Sequence, residues 1–161
     1  KAATLVSNID NMIPFDPKKV KNAVIVRMGD EEEFVNGLQV MVDAFAAHGI
    51  KADIKDGLKG KEETKKLSEE YDIILIATDK TGLPFFFEKK DKSTVMAAQA
   101  YGAEKTVVVS FGTPAIYYTY FEQANAFIST CSLDDGAMRA VVEGILGDFE
   151  FVGQVPIKLS L

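Results

Sequence analysis

Three stretches of the chain are almost continuously apolar and rich in β-branched residues: "NAVIVRM" (22–28), "DIILIAT" (72–78) and "TVVVSF" (106–111). Runs without polar alternation suit strands covered on both faces, as in a parallel sheet. "KADIKD" (51–56) alternates and reads as an edge strand. "NAFIST" (125–130) is a further strand candidate, and "QVPIKL" (154–159) carries a proline that confines it to an edge or terminal position. Between the strands the period becomes helical. Apolar residues at 34, 38, 41, 42 and 45 form one stripe, with Gly49 as the stop. Residues 61–70 read as a polar helix with Glu62 and Lys66 in favourable order. Ser93 opens a helix that runs to Tyr101 and ends at Gly102. Ser132, with Asp135 three residues on, reads as an acidic capping box. The helix it opens buries Met138, Val141, Val142, Ile145 and Leu146 and stops at Gly147.

Strands alternating with helices imply βαβ crossovers and a mostly parallel sheet with both faces covered. The expected fold is therefore α/β: a single three-layer α/β/α sandwich whose mostly parallel sheet has about five or six strands, flavodoxin-like in outline. The 161 residues, 47% of them apolar, suit one domain able to bury a core. Ligands of such sheets collect at the carboxyl ends of the strands. That singles out the loops at 29–32, 79–92, 112–114 and 131–135. The stretch "DKTGLPFFFEKKDK" (79–92) is the long irregular connection among them, a kind of loop that is often functional.

Charge narrows the choice of function. The net charge is −6, and the densest basic spot, Lys18, Lys19 and Lys21, has no interleaved aromatics. Holding a phosphate backbone needs concentrated positive charge, so nucleic acid is not an expected partner. No apolar run approaches the ~20 residues of a membrane span, and the start "KAATLVSNID" lacks the apolar core of a signal peptide. Cys131 is the one cysteine and His48 the one histidine. An internal disulfide is excluded, and a zinc site would need carboxylates for most of its ligands, so no metal is expected. No cofactor is expected either. The corner "SFGTP" (110–114) has one glycine where a phosphate loop needs GxxxxGK[ST], and Pro114 removes a donor. Gly112 permits a tight strand exit, Thr113 can cap, and Pro114 suits the first helical position.

Carboxylates carry most of the remaining chemistry. Asp30 lies in an acidic run, 30–33, after the first strand. Asp79, followed by Lys80, ends a buried strand, and Asp134 and Asp135 open the last helix. Negative charge at a helix N-terminus complements the dipole, so capping explains the run 30–33 and the pair Asp134 and Asp135. Asp30, Asp79, Lys80, Asp134 and Asp135 are also the candidates for substrate or interdomain contact. Glu88, amid "FFFEKKDK", is the candidate acid/base. Apolar neighbours would raise its pKa, whereas the adjacent lysines favour a surface ion pair. Tyr117 and Tyr118, with Tyr120 and Phe121, cover more than one helical face, and the surplus suits a domain contact or a sugar. His48 falls in the last turn of its helix, where positive charge is welcome. Cys131 reads as a small buried thiol.

In order, these pieces resemble a known arrangement. "TLVSNIDNMIPFDPKKVKNAVIV" (4–26), "VVVSFGTPAIYYTYFEQANAFIST" (107–130) and "AMRAVVEGILGDFEFVGQVPIKL" (137–159) are similar to the C-terminal α/β sandwich domain of glycoside hydrolase family 3. The β-N-acetylhexosaminidase branch is nearest in flavour. The shared marks are Thr-Leu-hydrophobic-x-Asn and an Ile-Pro pair before the first strand, a Gly/Pro corner after a later one, and Leu-Gly-Asp followed by Gly-x-Val-Pro-Ile at the end. The resemblance covers essentially the whole chain and implies that residues 1–161 are one domain of a longer polypeptide. It also implies a non-catalytic role. In that family an N-terminal (β/α)8 barrel supplies the aspartate nucleophile, and this chain is too short to contain one. The barrel would be this domain's partner. The parent's carbohydrate substrate, a β-linked N-acetylglucosamine or glucose, would be walled on one side by it. The Glu-x-Glu-Gly-x-Asp-Arg pattern near the acid/base of glucosidase-type members is missing from 79–92, so Glu88 inherits that role weakly. In the hexosaminidase branch the acid/base is on the barrel. The isolated chain is expected to be inactive on glycosides. The alternative is a free-standing flavodoxin-like module that binds a small ligand or a protein at the strand ends.

Overall fold

The computed structural model describes residues 3–58, 61–79, 101–112, 125–130 and 132–151. Within them the chain forms β1 (Ala3–Asn8), β2 (Asn22–Met28), α1 (Glu32–Ala47), β3 (Lys51–Asp56), α2 (Lys61–Glu70) and β4 (Ile73–Thr78). Then come β5 (Thr106–Ser110), β6 (Ala126–Thr130) and α3 (Asp135–Ile145), with short 3-10 turns at Ile9–Asn11 and Ala103–Lys105. The strands make one six-stranded sheet in the order β1-β6-β5-β4-β2-β3. Neighbours pair in parallel except β1, which runs antiparallel to β6. From β2 onward this is the flavodoxin-like order of doubly wound sheets. The fold is the expected α/β sandwich.

The apolar runs account for the layers. In β2, Ala23 and Ile25 face one side and Val24, Val26 and Met28 the other; β4 divides Ile73, Leu75 and Ala77 from Ile74 and Ile76 in the same way. The first face packs on α1 and α3 through Phe34, Leu38, Phe45, Met138, Val142 and Ile145. The second packs on Leu67 of α2 and on Leu58. Every residue of β4, β5 and β6 is buried. Gly37 brings α1 close to α3, since a Cβ there would stand 2.7 Å from Met138 Cε.

Helices α1 and α3 end alike. Gly49 and Gly147 take left-handed φ values of 75° and 86°. At the first end Gly49 N–H donates to Ala46 O (2.9 Å) and Ile50 N–H to Phe45 O (3.0 Å). At the second, Gly147 N–H donates to Gly144 O (3.2 Å) and Asp148 N–H to Glu143 O (2.9 Å). Both are Schellman closures, which need glycine one position past the cap. The end of α2 is satisfied from a distance. Lys105 donates from Nζ to Ser68 O (2.7 Å) and Tyr71 O (3.2 Å), setting a cation where the helix dipole is negative. The Tyr71 hydroxyl donates to Asp53 at 2.7 Å and ties β3 to the start of β4. That hydrogen bond holds the proton on the phenol and pushes its pKa up to about 12.

Strand β1 was not among the strands expected from the sequence. Only Ala3 of it is fully buried, and its register shifts between Leu5 and Ser7, so it shows neither a continuous apolar run nor clean alternation. The expected strand at 154–159, the helix opening at Ser93 and the corner at Thr113 and Pro114 lie outside the described residues. Among the described residues no helix is long and apolar enough to cross a membrane.

Leu75, at the centre of β4, has no exposure, whereas Ile54 on the edge strand β3 is 44% exposed. Leu75→Ala is expected to lower the unfolding free energy by about 2–5 kcal/mol in urea titrations, and Ile54→Ala by less than about 1 kcal/mol. Equal losses would contradict the layering.

Candidate functional site

The winding of the sheet reverses at β2, because β3 lies on one side of it and β4 on the other. Crevices at such switch points are where α/β sheets bind ligands. Gly29 and Asp30 leave β2 there, and Asp79 leaves β4 beside them. Having no side chain, Gly29 lets the Asp79 carboxylate lie against its Cα; a Cβ would run into Oδ1. Asp79 Oδ2 accepts the Glu31 N–H at 3.3 Å, at the entrance to α1, where the cap residue Glu31 makes no side-chain bond of its own. A helix N-terminus is where an anion would dock, and here the protein's own carboxylate has taken the place. Asp30 pairs with Arg27 at 3.7 Å, and Arg27 also holds Asp56 at 3.1 Å. Glu32 and Glu33 fill the first turn of α1.

The neighbouring strands add hydroxyls. Thr78, Ser110 and Thr130 end β4, β5 and β6 fully buried. Phe111 N–H donates to Thr78 O at 2.8 Å, carrying the β4–β5 ladder one residue further, and the Phe111 ring meets Phe34 with centroids 6.0 Å apart. After β6, Thr130 Oγ1 donates to Ser132 O (2.7 Å) and accepts the Ser132 N–H (3.1 Å), turning the chain toward α3. Asp134 Oδ1 then accepts the Ala137 N–H at 2.7 Å, and the Ser132 hydroxyl donates to Asp134 Oδ2 at 2.6 Å. Asp134 is therefore the cap. The expected box of Ser132 and Asp135 does not form, because Ser132 instead serves the capping carboxylate. The Ser132 hydroxyl foremost, and then the Ala137 N–H, hold the Asp134 carboxyl below the usual carboxylate range.

Asp30, Asp79, Asp134 and Asp135 thus all lie at the carboxyl end of the parallel strands, whereas Lys80, Glu88, Tyr117 and Tyr118 lie outside the described residues. Among the described residues no three His, Cys, Asp or Glu side chains are grouped to hold a metal ion. A phosphate entering at the switch point would meet Asp30, Glu31, Glu32, Glu33 and Asp79, with Arg27 as the adjacent cation, so charge opposes it. Groups that donate fit this end of the sheet: sugar hydroxyls, backbone N–H groups and basic side chains. The part played by Asp79 left no mark in the sequence, since Glu31, which it caps, is 48 residues away.

No known protein-family model matches this sequence, and no curated protein matches it. Among solved structures the fold is similar to part of a β-glucoside phosphorylase bound to 2FGlc, with a TM-score of 0.68 and 15% identity over 94% of this chain and 28% of that one. A β-glucosidase from Erythrobacter marinus is similar at 0.60 and 13%, over 91% of this chain and 27% of that one. A short-chain flavodoxin associated with a bacterial microcompartment is similar at 0.57 and 12%, over 78% of this chain and 97% of that one. At these identities the fold is what is shared. The chain spans less than a third of the length of the two glycosidase-like chains and nearly all of the flavodoxin.

Asp79→Ala is expected to cost about 1 kcal/mol, as for loss of a helix cap. Gly29→Ala is expected to cost more, because the new Cβ displaces the carboxylate. In a double-mutant cycle read by urea unfolding, the pair should lose less than the sum of the two, with a coupling of about 0.5–3 kcal/mol. Additive losses would mean that the two residues do not touch.

Proposed function

We propose that this chain is a non-catalytic accessory domain of a larger glycosidase, of the C-terminal α/β sandwich type of glycoside hydrolase family 3, with residues 1–161 making up that domain. The observation that carries this reading is the direction of β1. Ala3 pairs with Thr130, so the start of the chain stands beside the carboxyl end of β6, at the end of the sheet that bears Asp30, Asp79 and Asp134. A domain ahead of this one would therefore arrive at the acceptor-lined end. A (β/α)8 barrel arriving there would have one side of its sugar pocket walled by these carboxylates, with Lys80, Tyr117, Tyr118 and Asp135 as further contacts. The share of the glycosidase-like chains that the fold matches, 26% to 28%, supports a domain of a larger protein. The parent's substrate would be a β-linked glucoside or N-acetylglucosaminide. Carboxylates engaged as helix caps favour a wall over a catalyst, and Glu88 stays the one candidate acid/base.

A free-standing flavodoxin-like binding module is the second reading, favoured by the match over 97% of the flavodoxin chain. The acidic switch point would steer such a module toward a basic or hydroxyl-rich ligand.

The isolated chain is expected to leave aryl β-glucosides and aryl N-acetyl-β-glucosaminides at their uncatalysed rates, while the polypeptide that includes the barrel turns one of them over. Amide exchange at residues 29–32 and 132–137 is expected to slow in the longer polypeptide relative to the isolated chain. Turnover by the isolated chain would sink the accessory role. Unchanged exchange, or a gene product without an upstream barrel, would favour the binding module.

A further inference from the structure

His48 is the chain's single histidine, and both of its ring nitrogens are engaged. Nδ1 lies 2.8 Å from Ala44 O, and Nε2 lies 2.7 Å from Asp148 Oδ2. A carbonyl oxygen and an ionised carboxylate only accept, and a neutral imidazole has one N–H to give. Satisfying both contacts at once takes the imidazolium. The surroundings agree. His48 is the C-cap of α1, and Asp148 stands two residues past Leu146, the C-cap of α3. The two glycine-closed helix ends meet at this ring, and their partial negative charges converge on it. The charged groups facing the ring are Asp43 on α1, Arg139 and Glu143 on α3, and Asp148 in the turn after it; with Ala44 and Ala47 the first three line a cleft of about 200 Å³. The Ala44 carbonyl first, then Asp148 and Glu143, hold the proton on the ring against a desolvation that favours the neutral form.

We propose that His48 and Asp148 form a pH-dependent clip that fastens the turn leaving α3 to the end of α1. Beyond Asp148, the rings of Phe149 and Phe151 meet edge to face, 5.6 Å apart. The Phe151 ring lies over Gly144, where a Cβ would run into it. With Leu5, Ile13 and Pro14, the two rings line a cleft of about 500 Å³ beside β1. While the ring is charged, the turn is held and Phe151 stays seated on α3. When the ring loses a proton, one of the two bonds goes. Ala44 O belongs to the helix, whereas Asp148 is on a turn, with its side chain 41% exposed. The Asp148 bond is the one released, and the walls of the apolar cleft loosen. Linkage sets the sign. The folded-state pKa lies above the unfolded value of 6.5, so the stabilisation is complete below about 6.5 and is lost as pH rises through the folded value.

With one histidine, ring-proton NMR reads the clip directly. The wild-type midpoint is expected above 6.5, and Asp148→Asn should lower it. The backbone amides of Asp148 and Phe149 should move with the ring's midpoint in the wild type and lose that step in Asp148→Asn. The urea midpoint should fall between about pH 5.5 and about pH 8.5 in the wild type by more than in His48→Gln. A ring midpoint at or below 6.5, or a midpoint unmoved by Asp148→Asn, would overturn the proposal. So would amides of 148 and 149 that titrate independently of the ring, and that wild-type measurement decides the matter even if a variant fails to fold.

Discussion

The central strands of this sheet have no face toward water, and the rest of the molecule is built around that constraint. With β4, β5 and β6 buried throughout, their backbone groups can be satisfied only sideways, by neighbouring strands. Parallel neighbours cannot be joined by tight turns, so each connection must cross a face, and the crossing helices become the cover that the apolar side chains require. The same geometry sends each of these strands out at one end of the sheet. Asp30, Asp79 and Asp134, far apart in sequence, come to the same end of the sheet through strand polarity alone.

The margins of the sheet obey other rules. At one, β3 is shielded by charge, with Lys51 and Asp56 exposed and Lys55 paired with Glu63 of α2; charged residues on an edge discourage pairing with another chain. At the other, β1 runs against its neighbour, needs no crossover and covers β6. Its register with β6 shifts between Leu5 and Ser7, which interrupts the regular ladder.

Features that local pattern dictates are legible in the sequence. The run 73–77 is too uniformly apolar for a strand with one wet face, and of the stripe at 34, 38, 41, 42 and 45 all but Val42, which is half-buried, prove buried. Strand β1 escapes because it is half covered and irregular in register. The cap of α3 lies two residues beyond its expected place because Ser132 and Asp134 are both good N-cap types, and only the backbone, extended at Asp134 with φ −68° and ψ 163°, decides between them. The contact of Asp79 with Gly29 and that of His48 with Asp148 are through-space facts between distant segments. No periodicity or spacing encodes them. The candidate site was legible in its position, from the rule of strand ends, but the duties of its carboxylates were not.

The anchoring of Lys105 has a wider meaning. The crossover from β4 to β5 departs at Asp79, which is held at the entrance of α1, and returns through Gly102 and Lys105. There the Thr106 hydroxyl bonds Gly102 O at 2.6 Å and the ammonium grips the end of α2. Both attachment points tie this connection to the frame, to the entrance of α1 at one end and to the end of α2 at the other. The exit of β4 and the entry of β5 are thus each fixed to a helix that packs on the sheet, so the two strands and the helices beside them are coupled at both ends of the connection.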